Sequence, residues 1–328
     1  MKVDRSLELF SNYCRSRQLR PRTMQTYRQS IRLFAAWLRE RDIEDVEEIH
    51  EMTIRDYILD LQERGKYAAC YDARTKAFNC PEHRTDYMER LSNTTINGYL
   101  RTIRVYLNWL VDIEVLNRSP MRRIKLLKQQ RKPKEYLNDD EVKLLLRVFN
   151  YCDYQEYRDM MVAMVMLDTG TRISETLAIT TDRVDLLEQT IFLPAENTKG
   201  RKNRKVFFSQ RVARELRRWI RFKEEECTSE YLFPVRTTGD KLQTGNYEAN
   251  FRRYMARTGI NKKVSPHTLR NNFAKRCLMA GMDIYTLSRI LGHSSVKITE
   301  RSYLDITEDD LKMRYAGYSP IENLFSKA

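Results

Sequence analysis

The chain has 328 residues, of which 41% are hydrophobic, and this is enough for two domains with cores of their own. Lysine and arginine number 59 against 45 acidic residues; the net charge of +14 favours a polyanionic partner, although a ribosomal-type or merely soluble basic protein also fits. The chain has no run near the ~20 apolar residues of a membrane span and no signal-peptide core. We therefore expect a cytoplasmic protein, without membrane partners, whose six cysteines are free thiols.

The first third of the chain predicts a small all-helical domain. Apolar residues recur at helical spacing in four segments, at 7–14, 24–38, 54–61 and 96–110. Polar and basic residues fall off these stripes, on faces that we expect to be exposed and available to DNA: Arg22, Arg28, Asn97, Arg101 and Arg104.

A polar stretch from Gly65 to about Arg90 interrupts the helical pattern and contains Cys70, Cys80 and His83. A structural metal site needs a fourth ligand at regular spacing, and none is evident. We therefore interpret the stretch as a surface insertion at about 65–91, with contact to DNA or to a partner subunit left open.

A basic segment follows the helical domain. Residues 118–134 include eight lysines and arginines and no acidic residue, and Pro120 and Pro133 interrupt helix formation near its two ends. Such a run is often a solvated linker. We favour a strap that lies along DNA phosphates, with Arg122, Arg123 and Lys125 as contacts.

The remainder of the chain predicts a mixed domain. Asn138 begins an N-capping sequence before an apolar helix, and a second apolar helix covers 160–167. The periodicity then changes to that of short strands at 184–194 and 206–208, on either side of a basic turn that includes Arg201 and Lys202 as candidate DNA contacts. Helical patterns follow.

Four short motifs occur in this second domain. They are Gly-Thr-Arg-Ile-Ser-Glu at 170–175, His-Thr-Leu-Arg at 267–270, Leu-Gly-His-Ser at 291–294 and a tyrosine ten residues after the last histidine, so that their key residues are Arg172, His267, Arg270, His293 and Tyr303. In order and spacing they resemble the tyrosine recombinase (phage integrase) family. Lys199 matches the mobile lysine of that family, and the first domain resembles its SAM-like core-binding domain.

The chemistry of phosphodiester cleavage explains two of these residue types. Negative charge grows on the non-bridging oxygens in the transition state, and Arg172 and Arg270 can grip them with permanently charged, two-pronged guanidiniums. Tyr303 is the expected nucleophile. Its phosphotyrosyl ester conserves the bond energy, so we expect no metal and no nucleotide cofactor.

Three further residues complete the expected site. Lys199 is the candidate general acid for the leaving 5′ oxygen, although Lys202 and Lys205 share its turn. His267 and His293 are expected to hydrogen-bond the scissile phosphate, and His267 to assist proton transfer from the tyrosine. Glu175 lies one helical turn after Arg172 and is expected to orient a catalytic side chain.

The resemblance implies a mainly α fold with a small β-sheet: a SAM-like core-binding domain at 1–117, a basic linker at 118–137 and an α+β catalytic domain at 138–328. It further implies a tetramer on two double-stranded recombination sites in a bacterial cell, a Holliday-junction intermediate and an apolar C-terminal tail exchanged between subunits. An accessory directionality factor is a further expectation. A type IB topoisomerase and a DNA-binding regulator without catalysis are the alternatives.

Overall fold

The computed structural model describes residues 1–68, 80–129, 134–198, 200, 202–302 and the single positions 312, 315, 321 and 324. The chain divides into two compact units, Met1–Arg131 and Lys132–Ala328. The division falls inside the segment 118–137 that the sequence predicts as a linker. Within the described ranges, no helix has the length and apolar character to cross a membrane.

The first unit is helical, as the apolar periodicity predicts. Its helices are α1 (Val3–Ser16), α2 (Pro21–Arg39), α3 (Glu51–Glu63) and α4 (Asn93–Asp112), with 3₁₀ turns at Val46–Glu48 and Pro81–His83. Pro21 stands at the first position of α2, where its missing N–H costs nothing. Ser92 caps α4 because its hydroxyl accepts the Thr95 N–H at 3.2 Å.

Aromatic side chains fill the core of the first unit. The rings of Phe34 and Tyr57 have centroids 4.8 Å apart, and the ring of Phe10 lies 5.2 Å from Trp109 and 5.5 Å from Tyr106. All five side chains are buried. Because burial of one such apolar side chain contributes about 1.5–3 kcal/mol, packing between helices holds this unit together.

The predicted insertion leaves and rejoins the first unit at a narrow neck. Gly65 and Arg90 pair as an isolated antiparallel bridge. A β-carbon at Gly65 would lie 2.6 Å from the Cα of Met88, so the close approach of the two backbones requires glycine. Cys70 lies outside the described residues. Among the residues that are described, no three potential metal ligands come together, and Cys80 is exposed.

The basic segment packs along α4. Asn97 donates from Nδ2 to the Leu127 carbonyl and accepts the Leu127 N–H, both at 2.9 Å. Arg104 donates to the Ile124 carbonyl at 2.7 Å. The prediction of an open polar face is therefore wrong for Asn97, which is buried, and incomplete for Arg104, which is half-buried. The physical reason is that an irregular segment packed on a helix needs side-chain partners for its backbone groups.

The second unit combines helices with one small sheet, which confirms the predicted fold class. Its helices are α5 (Asp139–Arg147), α6 (Tyr154–Thr169), α7 (Ile173–Thr176), α8 (Gln210–Glu226), α9 (Thr244–Thr258), α10 (Pro266–Met279), α11 (Ile284–Leu291) and α12 (Val296–Ser302). The strands β1 (Val184–Asp185), β2 (Thr190–Leu193) and β3 (Arg204–Phe207) pair antiparallel in that order, with Leu193 opposite Arg204. Short 3₁₀ turns occupy Thr181–Arg183 and Ala195–Asn197.

The ends of two helices in this unit follow from their sequences. The Asn138 side chain accepts the Glu141 N–H at 2.8 Å, which confirms the predicted cap of α5. Gly170 ends α6 with a left-handed φ of +65°. A β-carbon there would lie 2.3 Å from the Phe273 ring and 2.9 Å from Leu291. Glycine therefore lets α10 and α11 pack closely against the end of α6.

Candidate active site

Arg270 on α10 is held by hydrogen bonds to separate segments of the second unit. Its Nη1 donates to the Gly170 carbonyl at 2.6 Å, and its Nη2 donates to the Leu291 carbonyl at 2.8 Å and to His293 Nε2 at 3.0 Å. The residue is only 3% exposed. A buried guanidinium needs such acceptors, since a buried group left unpaired costs about 1–3 kcal/mol. The loop after α6, the end of α11 and His293 thus converge on one cation.

Glu175 on α7 joins two arginines. Arg172 donates from Nη1 to Oε1 at 2.8 Å and from its backbone N–H to Oε2 at 3.0 Å. Arg204 on β3 donates from Nη2 to Oε2 at 2.6 Å and from Nη1 to Oε1 at 3.3 Å. Burial raises the pKa of Glu175, but the hydrogen bonds and charges of Arg204 and Arg172 outweigh it and hold the pKa below its usual value. Glu175 is thus a buried carboxylate that supports both guanidiniums.

Arg204 also reaches the carboxyl end of α11. Its Nε donates to the Ile290 carbonyl at 3.3 Å. A β-carbon at Gly292, where φ is +64°, would lie 3.0 Å from the same guanidinium. Arg204 and Arg270 therefore bind the consecutive carbonyls of Ile290 and Leu291, at the helix end where the peptide dipoles favour positive charge.

His293 has a defined tautomer. An arginine only donates hydrogen bonds, so Nε2 of His293 accepts from Arg270, and Nδ1 carries the proton of the neutral ring. Nδ1 lies 2.7 Å from the hydroxyl oxygen of Thr299 on α12 and donates to it. Burial, followed by the positive charges of Arg270 and Arg172, lowers the pKa of His293 to about 4. The ring is therefore neutral at pH 7 in the absence of DNA.

His267, near the start of α10, lies in the same electrostatic field. Partial burial of the ring and the positive charges of Arg270 and Arg172 lower its pKa below 6.5. Unlike His293, it forms no hydrogen bond through its ring nitrogens to any other residue in the described part of the chain. A neutral imidazole with an unused nitrogen can accept a proton at pH 7.

The base of the basic turn between β2 and β3 is tied by side chains. Thr198 is 2% exposed, and its hydroxyl accepts the Lys202 N–H at 3.1 Å. Asn203 Oδ1 accepts the Ala195 N–H at 2.7 Å. Lys202 is exposed. Both ends of the turn are thereby fixed, and three residues predicted for the site lie outside the described residues: Lys199, Arg201 and Tyr303.

Two family models match this chain. The model of the phage integrase family matches residues 135–309, which is more than half of the chain, and the model of the phage integrase N-terminal SAM-like domain matches residues 7–73. The chain belongs to the phage integrase family. The family resemblance inferred from the sequence motifs is therefore confirmed.

Individual members of the phage integrase family resemble the chain over most of its length. A tyrosine recombinase XerC of Lacticaseibacillus casei is 24% identical over 314 residues, which cover 94% of this chain and 95% of the relative. A tyrosine recombinase XerA of Saccharolobus solfataricus is 30% identical over 231 residues, which cover 69% of this chain and 68% of the relative.

Solved structures share the fold at low sequence identity. The Tn1549 transposon integrase in complex with a circular intermediate DNA gives a TM-score of 0.71 at 18% identity, with 97% of this chain and 100% of the other covered. A lambda integrase dimer bound to a COC′ core site gives 0.66 at 13% identity, with coverages of 91% and 97%. This likeness supports the phage integrase fold for both units.

The candidate DNA contacts on the first unit of this phage integrase family member are solvent-exposed, apart from Asn97 and Arg104. The exposed ones are Arg22, Arg28, Arg101, Arg122, Arg123 and Lys125. Arg22 donates to Gln25 at 3.0 Å on its own helix. Contact with DNA remains a prediction for all six.

The sequence motifs of the phage integrase family missed three residues near the site. Arg204 supports Glu175, Thr299 accepts from His293, and the charge of Lys134 helps to lower the pKa of His293. A signal existed for Arg204, because it shares the inward face of β3 with the buried Val206. A charged residue on an inward strand position needs a buried partner.

Proposed function

We propose that the chain is a site-specific tyrosine recombinase that cleaves and rejoins double-stranded DNA through a 3′-phosphotyrosyl ester on Tyr303. The observation that carries this proposal is the fixed pair of guanidiniums. Arg270 is locked among the Gly170 carbonyl, the Leu291 carbonyl and His293, and Arg172 is supported by Glu175. Positively charged donors fixed before the substrate arrives stabilise a phosphorane-like transition state without reorganisation.

The proposed mechanism has two proton transfers. The Tyr303 hydroxyl loses its proton as its oxygen attacks phosphorus, and His267 takes that proton because its lowered pKa leaves the ring neutral at pH 7. The bond from phosphorus to the 5′ oxygen breaks, and Lys199 supplies the proton that this oxygen needs. Attack by a 5′ hydroxyl on the phosphotyrosyl ester reverses these transfers and rejoins a strand.

The energy balance makes a nucleotide unnecessary. The phosphotyrosyl ester replaces one phosphodiester by another of similar energy, so rejoining needs no ATP. Arg172 and Arg270 supply the positive charge that a metal ion would otherwise bring to the phosphate. We therefore propose a reaction independent of ATP and of divalent cations.

The proposed assembly is a tetramer on two recombination sites that passes through a Holliday junction, with the C-terminal tail exchanged between subunits. Support comes from apolar tail residues that are 63–70% exposed, namely Tyr315, Ile321 and Leu324. Exposed large apolar side chains favour burial against a partner. The relatives from Lacticaseibacillus casei and Saccharolobus solfataricus are named tyrosine recombinases, so we propose that the DNA site lies in a bacterial or archaeal cell. An accessory directionality factor is a further proposed partner.

The test is covalent trapping in EDTA. Nicked suicide duplexes from the DNA that flanks the gene are incubated with the wild type, Tyr303→Phe and the matched control Tyr285→Phe, since Tyr285 is an exposed tyrosine of α11. We expect a denaturation-resistant adduct with the wild type and the control, and none with Tyr303→Phe. An adduct that still forms with Tyr303→Phe would mean that another tyrosine is the nucleophile. Tight binding without any adduct would favour a DNA-binding regulator without catalysis. An adduct without Holliday junctions would favour a type IB topoisomerase.

A further inference from the structure

Arg204 is a buried cation that the proposed reaction does not use. Its side chain is 11% exposed, and its hydrogen bonds go to the Glu175 carboxylate and to the Ile290 carbonyl. It therefore does not lie open to a DNA backbone as an exposed lysine or arginine does. The groups on which this guanidinium acts are Glu175 and the end of α11.

The first of these groups is Glu175, whose two oxygens offer about four acceptor positions. Arg204 fills two of them, and the backbone N–H of Arg172 fills a third. Arg172 is left with one side-chain bond to Glu175, from Nη1 at 2.8 Å. In the described part of the chain the other donors of Arg172 have no hydrogen-bond partner. Without Arg204, the carboxylate would have room to bind Arg172 with both of its prongs.

The second group is the corner that precedes His293. The guanidinium of Arg204 donates to the Ile290 carbonyl and covers the α-carbon of Gly292, where a β-carbon would lie 3.0 Å away. Gly292 turns the chain out of α11 and directly precedes His293. Arg204 therefore contacts both Glu175, which supports Arg172, and the backbone corner that positions His293 against Arg270.

We propose that Arg204 is a positioning residue that occupies Glu175, so that Arg172 keeps donors for the phosphate, and that fixes the Gly292 corner for His293. This rests on the proposed function for the identity of the phosphate. The contact between Arg204, Glu175 and the end of α11 stands on the geometry alone. A misplacement of a catalytic group by about 1 Å can lower a rate by about 10²-fold.

The first test needs no DNA cleavage. The chain has four histidines, so their isotope-labelled imidazole signals can be followed separately by NMR in the wild type, Arg204→Met and Arg204→Lys. We expect Arg204→Met to shift the His293 signals and to raise the pKa of His293, since a nearby cation is lost. Arg204→Lys should show a smaller change. Superimposable His293 signals in the wild type and Arg204→Met would overturn the proposal. This outcome does not depend on whether the chain cleaves DNA.

The second test measures single-turnover cleavage at saturating amounts of the duplex that gives the wild-type adduct. We expect Arg204→Met to cleave about 10²-fold more slowly, Arg204→Lys to recover part of the rate, and the added Glu175→Gln change to restore part of the rate lost in Arg204→Met. The control is Arg183→Met, because Arg183 lies beside the same sheet and pairs with Glu196 only at 3.6 Å. If Arg204 has a merely structural role, adding Glu175→Gln to Arg204→Met should lower the cleavage rate further. That result would overturn the proposal that Arg204 and Arg172 compete for Glu175.

Discussion

Two groups of basic residues in this chain are held in opposite ways. In the second unit, Arg172, Arg204 and Arg270 are largely or wholly buried, and each has carboxylate or carbonyl partners within 3.3 Å. In the first unit, Arg122 and Arg123 of the basic segment are exposed, and their side chains form no ion pair with any residue that the structure describes. The first arrangement fixes the position of the charge but removes the charge from water. The second leaves the charge hydrated.

The difference separates two tasks. A transition state is stabilised only by donors that already stand in position, whereas non-specific attraction to DNA needs charge at a distance and releases counterions. Buried arginines should therefore control the rate of cleavage and the stability of the fold. Exposed arginines should control affinity and its dependence on salt.

The largest effect is expected for Arg270→Met. The change removes a proposed donor to the phosphate and leaves the Gly170 and Leu291 carbonyls without their partner. Loss of one such donor lowers the cleavage rate about 10²–10³-fold, and each unpaired carbonyl costs about 1–3 kcal/mol. Single-turnover cleavage and urea unfolding measure the two effects, and Arg270→Lys separates loss of charge from loss of geometry. Unchanged cleavage with Arg270→Met would contradict the contrast between the two groups.

The next effect is expected for Gly170→Ala, with Gly259→Ala as its matched control. Both glycines have a positive φ, +65° and +69°, so both substitutions carry the left-handed cost of about 1–2 kcal/mol. Only at Gly170 does the new β-carbon meet other atoms, at 2.3 Å from the Phe273 ring. We expect a further loss of about 1–3 kcal/mol in the free energy of unfolding from overpacking. If both variants lose the same free energy of unfolding in urea, the Phe273 ring moves aside from the new β-carbon at little cost.

Asn97→Ala tests the same principle in the first unit. The side chain is buried and satisfies both backbone groups of Leu127 at 2.9 Å. We expect a loss of about 1–3 kcal/mol in the free energy of unfolding. The control is Asn108→Ala, an exposed asparagine of the same helix, for which the change should stay within about 0.5 kcal/mol. If both variants unfold alike in urea, the basic segment is not held by Asn97.

A smaller effect concerns pH. His293 has a pKa of about 4 in the folded chain and 6.5 as its ordinary value. Between these values the unfolded chain binds a proton that the folded ring does not, so stability falls as the pH falls through this window. His293→Gln removes this contribution and should lose less stability than the wild type between pH 7 and pH 5. Urea unfolding of the DNA-free protein at both pH values measures the difference, and parallel losses would argue against a neutral, half-buried ring.

The sequence predicted different parts of this picture with different success. The apolar periodicity predicted the helices, and the cap at Asn138 is present, because both depend on residues close together in the chain. The partners of Arg204 depend on contacts across 29 residues to Glu175 and 86 residues to Ile290, which no local pattern encodes. Helical spacing likewise predicted that Asn97 lies off the apolar stripe of α4, but it did not predict that the basic segment covers this side chain. Tyr303 and Lys199 rest on the motifs alone.

The smallest effect on the protein itself is expected for the combined change of Arg122, Arg123 and Lys125 to alanine. All three are exposed, so the free energy of unfolding should stay within about 0.5 kcal/mol for each position. Affinity should fall by a similar factor for every duplex, and the slope of log affinity against log salt should become shallower by about 2–3 if each residue neutralises one phosphate. Titrations of matched and unrelated duplexes at several salt concentrations measure this. A loss confined to one sequence would mean that the segment reads bases, and the division of tasks between buried and exposed arginines would then have to be redrawn.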